Sequence, residues 1–187
     1  MVIVEQQRNK IHPHKFTLWI GIGSIVMMFA GLTSAYIVKR EQPNWTSFEM
    51  PKIFWYSTAA ILLSSLTIQF AFRSFKEREM QRYRRLVLAT LVLGLTFICC
   101  QLIGFRELWD SGISFKGSGA GQFLYVIAGL HALHVFGGIV VLLVLLGKAL
   151  RRKIRSYNSV PVELAATYWH FVDLLWLYLF VFFLWIQ

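Results

Sequence analysis

The chain has 187 residues, 57% of them hydrophobic and 16% aromatic, with a mean hydropathy of +0.57 and a net charge of +10. A water-soluble domain of that size does not carry so much apolar surface, so a membrane protein with one domain over residues 1–187 is expected. The positive charge does not make a nucleic-acid-binding domain, because Lys and Arg cluster in the gaps between apolar runs, where topogenic signals lie; no nucleic-acid partner is expected.

The first apolar run, Phe16 to Val38, is too long and too far along the chain for a signal-peptide core and reads as a spanning helix. Gly21, Gly23, Ser24, Ala30, Gly31 and Ser34 distribute small side chains along it, so a neighbouring helix can come close. A short loop, Lys39 to Lys52, leads to a second helix at about 53–72, entered through Trp55 and Tyr56. Arg73 to Arg85 is a charged connector. The third helix, about 86–105, carries Gln101 and two adjacent cysteines, Cys99 and Cys100, which cannot pair without strain and are expected to fill space.

The longest loop, Arg106 to Gln122, contains Gly112, Gly117, Gly119 and Gly121. A fourth helix at about 123–146 carries His131 and His134. The basic connector Gly147 to Ser159 precedes the fifth helix, about 160–186, with Glu163, Trp169, His170 and Asp173. Its apolar stretch from Leu164 to Ile186 is 23 residues, and at 1.5 Å per residue that is about 35 Å, enough to cross a bilayer core with some tilt.

The fold class is therefore all-α, a polytopic five-helix transmembrane bundle. Its Lys and Arg are divided 14 to 5 between the two sides, which places the N-terminus in the cytoplasm and the C-terminus outside. The localisation expected is the bacterial cytoplasmic (inner) membrane.

Asp173 then falls near the middle of the hydrocarbon, where a carboxylate costs at least ~2.5 kcal/mol on insertion scales and should face protein. His131 and His134 come to similar depth on the fourth helix, so one of them is expected to hydrogen-bond toward the fifth, with Asp173 as the candidate partner. Glu163 sits at the start of the fifth helix, where a carboxylate is favoured. Three uses of these groups are chemically open. They can join helices through buried hydrogen bonds, hold a haem or metal through His131 and His134 at i, i+3, or form a proton path through Asp173 and the histidines. Lipid or partner contacts are a fourth. GxSxG, P-loop, HExxH and GxGxxG patterns are absent.

Two stretches resemble a known family. Gly129, Leu130, His131, Ala132, Leu133, His134 and Val135, followed by Gly137 and Gly138, match one motif. Glu163, Leu164, Ala165, Ala166, Thr167, Tyr168, Trp169, His170, Phe171, Val172 and Asp173, with Trp176 in register, match another. Both are similar to the C-terminal half of cytochrome c oxidase subunit III, of the haem-copper oxidase superfamily. Leu18, Trp19 and Phe29 to Tyr36, and Leu93, Gly94 and Gln101, resemble its earlier helices, so the likeness runs from about Lys15 onward.

The resemblance implies the short five-helix form of an accessory, non-catalytic subunit. It would pack mainly against subunit I, also meet subunit II and small subunits, bind phospholipid, and support proton uptake and turnover. Haem and copper would sit in the partners, with no catalytic, cofactor or metal residue in this chain. The residues expected to be buried polar groups or lipid contacts are Gln101, His131, His134, Glu163, Trp169, His170 and Asp173. Two departures stand out: Ser24 is followed by Ile25, and position 104 is Gly, where the family commonly has Glu. The matching subunit of a quinol oxidase and a nitric-oxide-reductase-associated homologue are the nearest alternatives. A stand-alone transporter, a proton channel and a membrane haem enzyme belong to other classes.

Overall fold

A computed structural model describes residues 13–41, 50–113, 119–150 and 159–186. Five α-helices make up the described chain: α1 (Pro13–Arg40), α2 (Ile53–Lys76), α3 (Met80–Asp110), α4 (Gly119–Leu150) and α5 (Val160–Trp185). All five are long and apolar enough to cross a membrane, and there is no strand among the described residues.

The helices run past their apolar stretches. Arg, Lys, Glu and Gln are good helix formers, so the loss of hydrophobicity marks the membrane boundary and not the end of the helix. The charged connector is accordingly almost all helical, with only Glu77 to Glu79 between α2 and α3. Arg78 takes a left-handed conformation there (φ 61°), and Glu79 N–H donates to Ser74 O at 3.0 Å. α3 closes in the same way, with Gly112 at φ 89° and Ile113 N–H donating to Leu108 O. This is a Schellman-type stop, with glycine in its usual place at one end and arginine standing in at the other. Gly119 and Gly121, expected in a loop, open α4 instead. Tyr125 ties this end together, its hydroxyl donating to Ile113 O at 2.8 Å. Gly117 and most of the first loop and the basic fourth connector lie outside the described residues.

α4 and α5 form the spine. α1 packs on one side of this pair, and the α2–α3 hairpin packs on the other, with α2 against α5 and α3 against α4. Cross-helix pairs give the directions. Thr58 meets Trp176 while Ser64 meets Trp169, so α2 and α5 are antiparallel. Lys15 meets Glu163 while Thr33 meets Tyr178, so α1 and α5 are parallel.

Two tryptophans on α5, two turns apart, fill the interior between α2, α3 and α4. Trp169 and Trp176 are each 1% exposed. A Cβ on Gly94 of α3 or on Gly138 of α4 would come within 2.9 Å of the Trp169 ring. Trp176 lies between Phe54, Phe97 and His131 at ring separations of 6.1, 5.2 and 5.3 Å. Large rings fitted against bare backbone give the close contact that drives helix association in lipid, where the hydrophobic effect between helices is missing.

Candidate functional site: a polar seam around α5

The polar groups of the interior are arranged around those two rings. Trp169 Nε1–H donates to Ser64 Oγ at 2.9 Å, and Trp176 Nε1–H donates to Thr58 Oγ1 at 3.0 Å. Gln101 of α3, 5% exposed, donates from Nε2 to Ser57 Oγ at 3.1 Å. Thr67 and Thr90 share a hydrogen bond at 2.8 Å across the α2–α3 interface. α2 thus presents hydroxyls to both neighbours, which is the role short polar side chains play between membrane helices.

The expected bond between a histidine of α4 and Asp173 does not form. His131 is 1% exposed and neither of its ring nitrogens has a hydrogen-bond partner among the described residues. Its imidazole instead packs on Trp176 of α5 and meets Phe97 of α3 edge-on at 6.1 Å. His134 faces the other way. Its Nδ1 lies 2.7 Å from Leu130 O one turn back, and its ring meets Phe29 of α1 at 5.8 Å. Only its backbone reaches α5, where its carbonyl accepts from the Tyr168 hydroxyl at 3.1 Å. Three residues on a helix turn the ring by about 300°, enough to send two side chains of similar depth to different neighbours.

Asp173 is 2% exposed, and neither carboxyl oxygen has a hydrogen-bond partner among the described residues. Ser65 lies beside it without reaching hydrogen-bond geometry. The Ser65 hydroxyl is engaged by His170 Nδ1 at 2.6 Å, and His170 Nε2 sits 3.2 Å from Gln69 Oε1. His170, the only histidine of α5, is therefore held by α2. Glu163 pairs with Lys15 Nζ at 2.6 Å, joining the cytoplasm-side starts expected for α5 and α1. No group of three or more His, Cys, Asp and Glu gathers at metal-ligand spacing among the described residues.

Sequence reasoning named Gln101 of α3 and the α4 and α5 residues of this seam but missed Thr90 of α3 and the α2 wall. Ser57, Thr58, Ser64, Ser65 and Gln69 all lie on α2. The available signal was their spacing, since Ser57 and Ser64, like Thr58 and Ser65, are seven residues apart and share one face.

Position 104 explains one departure from the family pattern in steric terms. A Cβ on Gly104 would come within 2.8 Å of both Ile53 and Phe54. α2 occupies the space a glutamate there would need. Ile25, at the other departure, packs partly buried against the core.

The arrangement defines a class first: a multi-pass membrane protein whose ionisable interior groups are enclosed by tightly fitted helices. Comparison with known proteins then gives the family. Residues 15–187 match the family model described as Cytochrome c oxidase subunit III. A cytochrome c oxidase subunit 3 of Bacillus sp. (strain PS3) is 28% identical over 87% of this chain and 80% of its own length. A probable cytochrome c oxidase subunit 3 of Nocardia farcinica is 30% identical over 92% of this chain and 90% of its own. The protein of that name from Bacillus subtilis is 25% identical over 90% and 88%. The chain belongs to the cytochrome c oxidase subunit III family.

Proposed function

We propose that the chain is subunit III of a bacterial terminal oxidase of the cytochrome c type, in the cytoplasmic membrane with its N-terminus inside. It stabilises subunit I as its main partner, lies near subunit II and small subunits, binds phospholipid, and sustains proton uptake into subunit I during oxygen reduction and proton pumping. Haem and copper belong to those partners.

The observation that carries this reading is how the family motif is used. Trp169, His131 and Asp173 lie in closed interior packing between four helices, with Trp169 fitted to Gly94 and Gly138. A scaffold needs that fit. Glu163, His170 and Gln101 likewise spend their side chains on neighbouring helices.

Gentle detergent purification through this chain, followed by mass spectrometry and a reduced-minus-oxidised spectrum, tests the assignment. Haem-copper subunits I and II should co-purify with a haem spectrum; a chain that purifies alone with its own haem, or conducts protons alone in liposomes, overturns it. In the complex, Asp173→Asn keeps the shape of the side chain and removes its capacity to ionise. The initial rate of oxygen reduction should be unchanged, with faster loss of activity over repeated turnover, and abolition of the initial rate would refute a non-catalytic role.

A further inference from the structure

Asp173, Ser65, His170 and Gln69 form a row across the α2–α5 interface, from the interior to its half-buried edge. Asp173 is 2% exposed, and Ser65 lies beside its carboxyl group. Ser65 Oγ is 2.6 Å from His170 Nδ1, and His170 Nε2 is 3.2 Å from Gln69 Oε1. Ser65, His170 and Gln69 are half-buried, and Arg73, one turn beyond Gln69, is exposed. The row therefore leads from an enclosed acid toward the charged end of α2.

Counting hydrogens gives the row a direction. Neutral imidazole carries one N–H, and the bond made by one nitrogen decides which of the two has it. Gln69 Oε1 is an acceptor, so the proton is on Nε2 and Nδ1 is bare. The bare Nδ1 takes the single hydrogen of Ser65, which leaves an oxygen lone pair for Asp173. A carboxylate brings no hydrogen to that lone pair; a protonated carboxyl does, after a small turn of its side chain. With Asp173 protonated, every donor points the same way, from Asp173 to Ser65, to His170, to Gln69.

The same side chains also pair in the opposite sense. Once Asp173 has lost its proton, Ser65 O–H donates to the carboxylate and Nδ1–H donates to Ser65 Oγ. Gln69 then turns its amide, so that its nitrogen donates to the bare Nε2. The two arrangements differ by one proton. Between them the carboxyl hydrogen moves to Ser65, the Ser65 hydrogen moves to Nδ1, and the Nε2 hydrogen leaves to water at the half-buried edge. Loading is the reverse, with hydronium as the donor.

No other charged group competes for the site. Residues 16–38 of α1, 53–72 of α2 and 86–105 of α3 contain no Asp, Glu, Lys, Arg or His. From α4 come His131 and His134, which pack on Trp176 and Phe29. On α5, Glu163 pairs with Lys15, and the Tyr168 and Tyr178 hydroxyls meet His134 O and Thr33. Past Asp173 the row stops, since Trp176 Nε1–H is spent on Thr58 and the Thr58 hydroxyl on Phe54 O.

We propose that Asp173 is a proton-binding site, loaded and unloaded through Ser65, His170 and Gln69. It stores one proton and does not conduct, because nothing carries a proton onward past Trp176. The site lies wholly within this chain and does not depend on which subunits surround it.

The test is infrared spectroscopy of the full chain, with isotopically labelled aspartate, in phosphatidylcholine nanodiscs. The chain has two aspartates, Asp173 and the exposed Asp110, and Asp173→Asn identifies the Asp173 bands by their loss. At neutral pH Asp173 should show the carbonyl stretch of a protonated carboxyl, and a jump to alkaline pH should replace it with carboxylate bands. Ser65→Ala removes the first carrier. It should slow that replacement roughly a hundredfold, the low end of what a positioned proton-transfer group contributes, and Ser65→Thr should restore the rate. Gln69→Leu removes the last polar group of the row and should slow it several-fold. Carboxylate bands already present at neutral pH overturn the proposal, as does a carboxyl band that no alkaline jump removes. Equal rates in Ser65→Ala and the parent overturn it too, since a purely structural joint would lose thermal stability there and leave the rate alone.

Discussion

The two sides of the α4–α5 spine are built differently. On the α2–α3 side, large rings are pressed against glycine backbone, and each indole N–H has an acceptor on α2. On the α1 side, Gly21, Gly23 and Gly31 have nothing within 4 Å of where a Cβ would sit. Contact there rests on a few side chains: Phe29 against His134, Tyr36 among Phe123, Phe182 and Phe183, the Thr33–Tyr178 pair and the Lys15–Glu163 ion pair. The buried share of the apolar window is 50% in α5 and 17% in α1. Glycine thus means opposite things on the two sides. It is a socket for a ring at Gly94 of α3 and Gly138 of α4, and open surface in α1.

That contrast is broken most severely at the shared ring. Trp169→Ala removes a side chain 1% exposed that touches α2, α3 and α4 together. The cost expected is about 3–5 kcal/mol, the range for deleting a buried aromatic, read as a fall in the thermal midpoint of the purified protein in detergent. A loss below 1 kcal/mol would mean that the bundle is not organised around this ring. Gly138→Val tests the socket from the other side, since its Cβ would lie 2.9 Å from two Trp169 ring atoms. Overpacking of this kind costs about 1–3 kcal/mol, and Trp169→Phe in the same chain should recover part of it by opening room. Ser64→Ala is gentler still. It leaves the ring in place but strands Nε1–H in the interior, for an expected loss of about 1 kcal/mol; no measurable change would place that bond among the energetically silent ones.

The five-helix architecture was legible because each apolar run is long enough to cross a bilayer and the runs are divided by charge. The helix ends were not. The charged residues that end the hydrophobic signal at Arg73 and Arg106 are themselves helix formers, so α2 and α3 continue through them. Of the polar residues singled out from sequence, Asp173, His131 and Gln101 are 2%, 1% and 5% exposed, whereas His134, Glu163 and His170 are only half-buried. Relative level along the bundle was legible too, since it follows from counting along a helix: His131 meets Trp176 and His134 O meets Tyr168, on either side of Asp173. Azimuth was not, because the rotation of each helix is set by tertiary packing. His131 therefore meets α5 through the Trp176 ring, and His134 turns to Phe29. The hydroxyls of α2 went unread because single Ser and Thr residues are ordinary in membrane helices, and only their seven-residue recurrence marks a face.

The smallest effect sharpens the contrast most, because the two sides differ in sign. Gly31→Ala adds the same methyl group that would strike the Trp169 ring at Gly94, but in α1 it enters open space. Gly31 lies well inside a 28-residue helix, where replacing Gly by Ala lowers the backbone entropy lost on folding. In exposed helices of water-soluble proteins that is worth up to about 1 kcal/mol, and less is expected in a membrane, where the unfolded reference is already helical. The purified chain with Gly31→Ala should therefore have a midpoint equal to or slightly above the parent, while Gly94→Ala falls below it. A drop of similar size in both would mean that α1 packs against something as closely as α3 does. If the fall at Gly31 appeared only in the assembled complex and not in the isolated chain, the close contact would belong to another subunit, and the openness of α1 would be a property of the free chain alone.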